Sequence, residues 1–217
     1  MDTVHRVIAA AVRHFRVQLQ AALDTGGFTR ERYARYLSMQ HHLTKGVQRH
    51  FLIAASNPAM VDKPDLRRFL IQFALDEETH YELARRDVES LGHRLLACPL
   101  EVTLWWAYFD SVIPSRPFLR LGASCILENL GPGAGELARA LLASAPFLTA
   151  ENTTFLRLHL HDEVPHGDEV VDVLSRARLA ESELADLECG AREGATLYLR
   201  MADWALGVER PPPSFDA

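Results

Sequence analysis

The sequence predicts an all-α, single-domain bundle of about seven to nine helices, and three observations carry that prediction. Apolar residues recur at intervals of three and four along most of the chain, the spacing that returns side chains to one face of an α-helix. Glycine and proline clusters at Gly26-Gly27, Asn57-Pro58, Pro114 to Pro117 and Gly131-Pro132-Gly133 cut the pattern into segments of helical length. No run alternates apolar with polar residues under β-branched enrichment, so nothing reads as a strand. A chain of 217 residues can bury one sizeable core. The helical domain is expected over 1–209, with an irregular tail over 210–217 that carries three successive prolines.

The elements follow in order. Val4, Ile8, Ala11, Val12, Phe15, Leu19 and Leu23 form the apolar stripe of a first helix, ended by Gly26-Gly27. Thr29 is placed to cap a second helix through Tyr33, Leu37, Leu43, Val47 and Phe51 to Ala55. Pro64 suits the first position of a third, which runs through Leu66, Leu70 and Phe73 to Leu91 and stops at Gly92. Beyond Pro99 comes the aromatic segment 100–112, then Phe118 to Leu130. A short helix over Gly135 to Ser144 precedes the segment Phe155 to Glu169, and helices from Asp168 to Ala177 and Glu181 to Leu206 close the domain.

Composition removes several function classes. With a net charge of -6 and its 23 basic residues dispersed, the chain has no basic face for a phosphate backbone, so no nucleic-acid partner is expected. His5, Arg6, Arg13 and Arg16 interrupt the apolar N-terminal pattern, which therefore reads as neither a secretory nor a spanning segment. A cytoplasmic protein without a membrane partner is expected. Cys98, Cys125 and Cys189 stand far apart with no CxxC pair, as reduced cysteines do.

The chemistry concentrates in three places. In 155–169 (FLRLHLHDEVPHGDE), His159, Glu163 and His166 are spaced four and three apart. At about 100° per residue they share one stripe of a helix, while His161 and Asp162 project elsewhere. Pro165 lies inside that stripe and removes a backbone donor, so a bend is expected there. Glu77 and His80, three apart, share a face of the third helix. A Glu-x-x-His pair aimed into a bundle is a way of building a dimetal site. Glu128 stands in the apolar run ASCILENLG, where a carboxylate is costly unless paired or bound to metal. Three carboxylates and three imidazoles can ligate two ions and leave positions open.

These motifs resemble a known family, the haem-oxygenase-like dimetal oxidases, which share a seven-helix fold with thiaminase-type and pyrroloquinoline-quinone synthase proteins. The likeness runs over most of the chain. It rests on the Gly-x-x-Thr-x-Glu-x-Tyr opening from Gly26 to Tyr33, the Glu-x-x-His helix from Glu77 to Gly92 and the lone Glu128 after Leu121-Gly122-Ala123. The signature from His159 to Gly167 completes it. In that signature Glu163 replaces the family's usual Asp, and Pro165 separates the last two ligands.

The resemblance implies iron, Fe(II)/Fe(III), at two adjacent sites per chain with the second weakly held. Glu77, His80, Glu128, His159, Glu163 and His166 would be the ligands. The implied activity is dioxygen activation by a non-haem iron oxidase or oxygenase on a small organic molecule, by N-oxygenation, oxidative C–C cleavage or desaturation. The ligand set does not choose among these. Trp105, Tyr108 and Phe109 are weighed as core packing against a wall for an apolar or aromatic substrate, and Arg116 and Arg120 as surface arginines against partners for a substrate carboxylate. A metal-free oxidase, a thiaminase-like hydrolase using a cysteine such as Cys125, and a ferritin-like iron store using Glu31 are the competing readings. A homodimer is compatible with all of them.

Overall fold

The computed structural model describes residues 1–25, 27–133, 135–136, 139–140, 145–161 and 166–208. Among these every regular element is helical, with no strand. Helix α1 spans Asp2–Asp24 and buries Val4, Ala11, Phe15, Leu19 and Ala22, the three-and-four spacing read in the sequence. The next helix, α2, spans Arg30–Thr44, and the Thr29 hydroxyl caps it by accepting the Arg32 N–H at 3.2 Å.

Two helices expected to be continuous are interrupted. Gly46 adopts φ +91°, a left-handed conformation that costs glycine little, and it separates α2 from α3 (Val47–Ser56). The third helix is α4 (Pro64–Asp76), with Pro64 in its first turn as expected, followed by a 3-10 turn over Glu77–Thr79. After that turn the chain resumes as α5 (His80–Ser90). The bend falls on the Glu-x-x-His pair itself.

Next come α6 (Leu100–Val112) and α7 (Pro117–Gly133). A 3-10 turn over Ala150–Asn152 leads into α8 (Thr154–His161), then α9 (His166–Arg176) and α10 (Glu181–Leu206). The helix expected over Gly135 to Ser144 falls largely outside the described residues, as does the tail beyond 208. Of the helix expected from Phe155 to Glu169, the described parts lie in α8 and α9, and 162–165 lie outside the description.

The main core gathers buried residues of α1, α2, α3, α4, α6, α7, α9 and α10, with Trp105, Phe109, Phe51 and Phe73 among its largest side chains. The contact of α7 with α10 is close enough that a Cβ on Gly190 would lie 1.7 Å from the Leu119 carbonyl oxygen, and one on Gly122 2.0 Å from that of Leu187. Glycine at these two points lets the backbones touch. A smaller core of Tyr33, Leu37, Ala84, Val88, Leu91 and Phe155 joins α2, α5 and α8. The two cores flank the segment carrying Glu77 and His80.

Candidate metal centre

The bend after α4 turns Glu77 and His80 inward, and both are almost completely buried. A hydrogen bond of 2.8 Å joins His80 Nδ1 to Glu77 Oε2. A carboxylate can only accept, so Nδ1 carries the proton in this bond. Carboxylate behind imidazole is the arrangement that orients and strengthens metal-binding histidines.

His159 arrives from α8. Its ring lies 5.2 Å from that of His80, nearly perpendicular at 71°, and its Nδ1 donates to the Phe155 carbonyl at 2.7 Å. A carbonyl can only accept, so Nδ1 carries the proton in this bond as well. The docking of α8 rests on Asp87, seven residues after His80 and therefore on the same face of α5. Asp87 is fully buried and accepts the Phe155 N–H at 2.8 Å. The two helices therefore run antiparallel, held by Asp87 at one end and meeting at His80 and His159 at the other. Burial pushes the Asp87 carboxyl upward, against the pull of the Phe155 and Thr154 amides. Its spacing from His80 was a signal that motif reading passed over.

Glu128 is half-buried on α7, and three other groups feel its charge. Burial lifts the Tyr198 hydroxyl far up, with Tyr36 and Glu128 adding to it. Tyr198 also accepts a hydrogen bond from Gln40 at 3.1 Å. Burial pushes the Cys125 thiol up to about 12, with Glu128 adding to it. A thiol so disfavoured as an anion makes a poor nucleophile, which counts against the thiaminase-like reading. Arg120, fully buried, is pulled down by burial to about 10 while Glu128 and Glu77 act in the opposite sense.

The structure thus brings Glu77, His80 and His159 together and sets Glu128 within electrostatic reach of the Arg120 charge that Glu77 also feels. Glu163 lies outside the described residues. His166 opens α9, with its side chain outside the description. Among the described residues no group of three or more potential ligands closes around one point. The donors that are described, two imidazoles and a carboxylate, are of the kinds that a divalent transition ion takes.

The other sequence candidates have different surroundings. Trp105 and Phe109 are fully buried, 4.5 Å apart between centroids, and pack against Arg120. Tyr108, half-buried, donates its hydroxyl to Glu193. Arg116 is exposed and paired with Asp186 at 2.7 Å, at the start of α7; Glu128 stands twelve residues on, roughly 18 Å along the axis. Arg120 is no surface arginine, and His50 is its unforeseen partner. His50 Nδ1 accepts from Arg120 Nε at 2.9 Å, and its Nε2 donates to Asp110 at 2.8 Å. Burial first, then the Arg120 charge, holds His50 down to about 4. Glu31 is exposed in the first turn of α2, so the store reading lacks that carboxylate at a buried centre.

No family model matches the chain, and no curated protein matches it. A crystal structure of a domain of unknown function with a haem oxygenase-like fold, from Shewanella denitrificans OS217, is similar with a TM-score of 0.80 and 18% sequence identity. The match covers 93% of this chain and 89% of that one. The fold is therefore haem oxygenase-like. No helix among the described residues is long and apolar enough to cross a membrane.

Proposed function

We propose that this chain is a non-haem, iron-dependent oxidase or oxygenase that activates dioxygen on a small organic substrate. The observation that carries the reading is the buried Glu77–His80 pair facing His159, with each imidazole bonded through Nδ1; Nε2 of each would be the ligating atom. Two histidines with carboxylate and open positions suit iron. Glu128 would add a carboxylate from α7, and Glu163 and His166 would complete a second, weaker site. When bound, the iron supplies the reduction of dioxygen, which protein side chains cannot perform.

The chain's own residues supply the rest. Glu77 holds the His80 ring in one tautomer and orientation. Phe155 does the same for His159 through its carbonyl, and Asp87 fixes the turn on which that carbonyl sits. The Phe155 ring, 4.4 Å from the His159 ring and tilted by 40° to it, packs against the imidazole. Arg120 sets the charge balance behind the carboxylates.

The test is dioxygen uptake by anaerobically iron-loaded protein, screened over small amines and carboxylic acids. The reading expects iron-dependent uptake stimulated by at least one class and absent from His159→Ala. Uptake equal in iron-free protein would give the chemistry to a metal-free oxidase instead.

A further inference from the structure

A guanidinium in a protein core is costly unless its charge is answered. Arg120 is fully buried, with the rings of Phe51, Trp105 and Phe109 at 5.4 to 5.5 Å. Its hydrogen bonds end on neutral groups: Nε donates to the His50 imidazole, and Nη1 to Ser124 Oγ at 2.6 Å. Among the described residues Nη2 has no hydrogen-bond partner. Asp110, beyond His50, is 40% exposed and shared with Arg49. That carboxylate is engaged at the surface. The charge of Arg120 must therefore be answered elsewhere.

Two directions lead to the same place. The bond to Ser124 draws the guanidinium along α7 toward its C-terminus, and Glu128 stands one turn further on. On the other side, Phe51 meets Phe73 edge-on at 4.8 Å, and Phe73 is one turn before Glu77. Arg120 thus lies between the turns that carry two of the proposed ligands. We propose that Arg120 is the built-in countercharge of the Glu77 and Glu128 carboxylates, held by a His50–Asp110 arm, and that its fixed positive charge limits how tightly the centre takes up divalent cations.

The cation half of this rests on the metal reading above; the countercharge half does not. Without an ion, the guanidinium answers both carboxylates, and an arriving dication must share them with it. Neutralising Arg120 should then strengthen cation binding while weakening the ion-free fold. An arginine that merely filled space would lower both together when lost.

The test uses full-length protein, with Mn2+ as an air-stable probe titrated calorimetrically and ion-free samples melted in parallel. Arg120→Gln should bind Mn2+ roughly tenfold tighter than wild type, whereas Arg120→Lys, keeping the charge, should stay within about threefold. Ion-free Arg120→Gln should melt below wild type, and adding Glu128→Gln should raise it again, because the charge that Arg120 offset is then removed with it. A single variant recovered folded only as that double counts for the proposal. Equal or weaker Mn2+ binding by Arg120→Gln, or a double variant melting below it, overturns the proposal. Rescue of melting with no Mn2+ uptake by wild type supports the countercharge and sinks the metal reading instead.

Discussion

Glu77 and Asp87 are both buried acids, ten residues apart on either side of the bend that starts α5, and they are put to opposite uses. Asp87 ends on backbone: it accepts the N–H of Phe155, an amide no ion could replace without freeing the start of α8. Glu77 ends on the imidazole of His80, whose ring lies against that of His159. The difference teaches that burial alone does not mark a reactive acid. The partner does: a carboxylate bonded to a helix's first amide is committed to the fold, while one bonded to a histidine is placed, in the function proposed above, to orient a metal-binding imidazole.

The sharpest break in this comparison is Glu77→Gln. It keeps the side-chain shape, so the chain should stay folded, with a melting temperature lowered because Arg120 loses one of its two countercharges, while iron binding falls more than the ~10–100-fold typical of an outer-shell change. Equal iron content in Glu77→Gln would demote Glu77 to packing. Asp87→Ala should behave inversely. Losing a buried, charge-assisted cap costs about 2–3 kcal/mol, read by chemical denaturation, and disturbs iron only through the position of His159. A stable Asp87→Ala with iron lost outright would erase the distinction.

A third, smaller effect separates both acids from the Arg120 arm. His50 is held down to about 4 in the fold but titrates near 6.5 when unfolded. The unfolded chain therefore binds the extra proton between those values, and stability falls as pH drops from about 6.5 to about 4. The loss is at most about 3 kcal/mol. Denaturation curves at pH 7 and 4.5 should show it in wild type and show it reduced in His50→Gln; an unchanged difference would assign the loss to other groups.

Much of this was legible in the sequence. The Thr29 cap, Pro64 at a helix start, the stop at Gly92 and the apolar stripe of α1 are local, and local spacing reveals them. Gly46 carried a usable signal, because a lone glycine inside a periodic run permits a left-handed break, yet the apolar spacing continues through it. The 3-10 turn at Glu77 lies where Asp76, Glu77 and Glu78 interrupt the apolar pattern, and periodicity is blind to a change of pitch over three residues. Arg120 and His50 were beyond reach. They meet across 70 positions, and an arginine in a helical segment reads as solvated until the fold encloses it. Asp87 was half visible: its register with His80 was there, but its bond to α8 is 68 residues long in sequence.

The central claim, that the Glu77–His80–His159 group belongs to an iron centre, is tested most directly by Mössbauer spectroscopy with iron analysis on anaerobically 57Fe-loaded wild type and His159→Ala. The account predicts high-spin ferrous iron approaching about two per chain in wild type, with His159→Ala losing iron while keeping its fold. Wild type that holds less than a few tenths of an iron per chain, or His159→Ala with an unchanged spectrum, would contradict it.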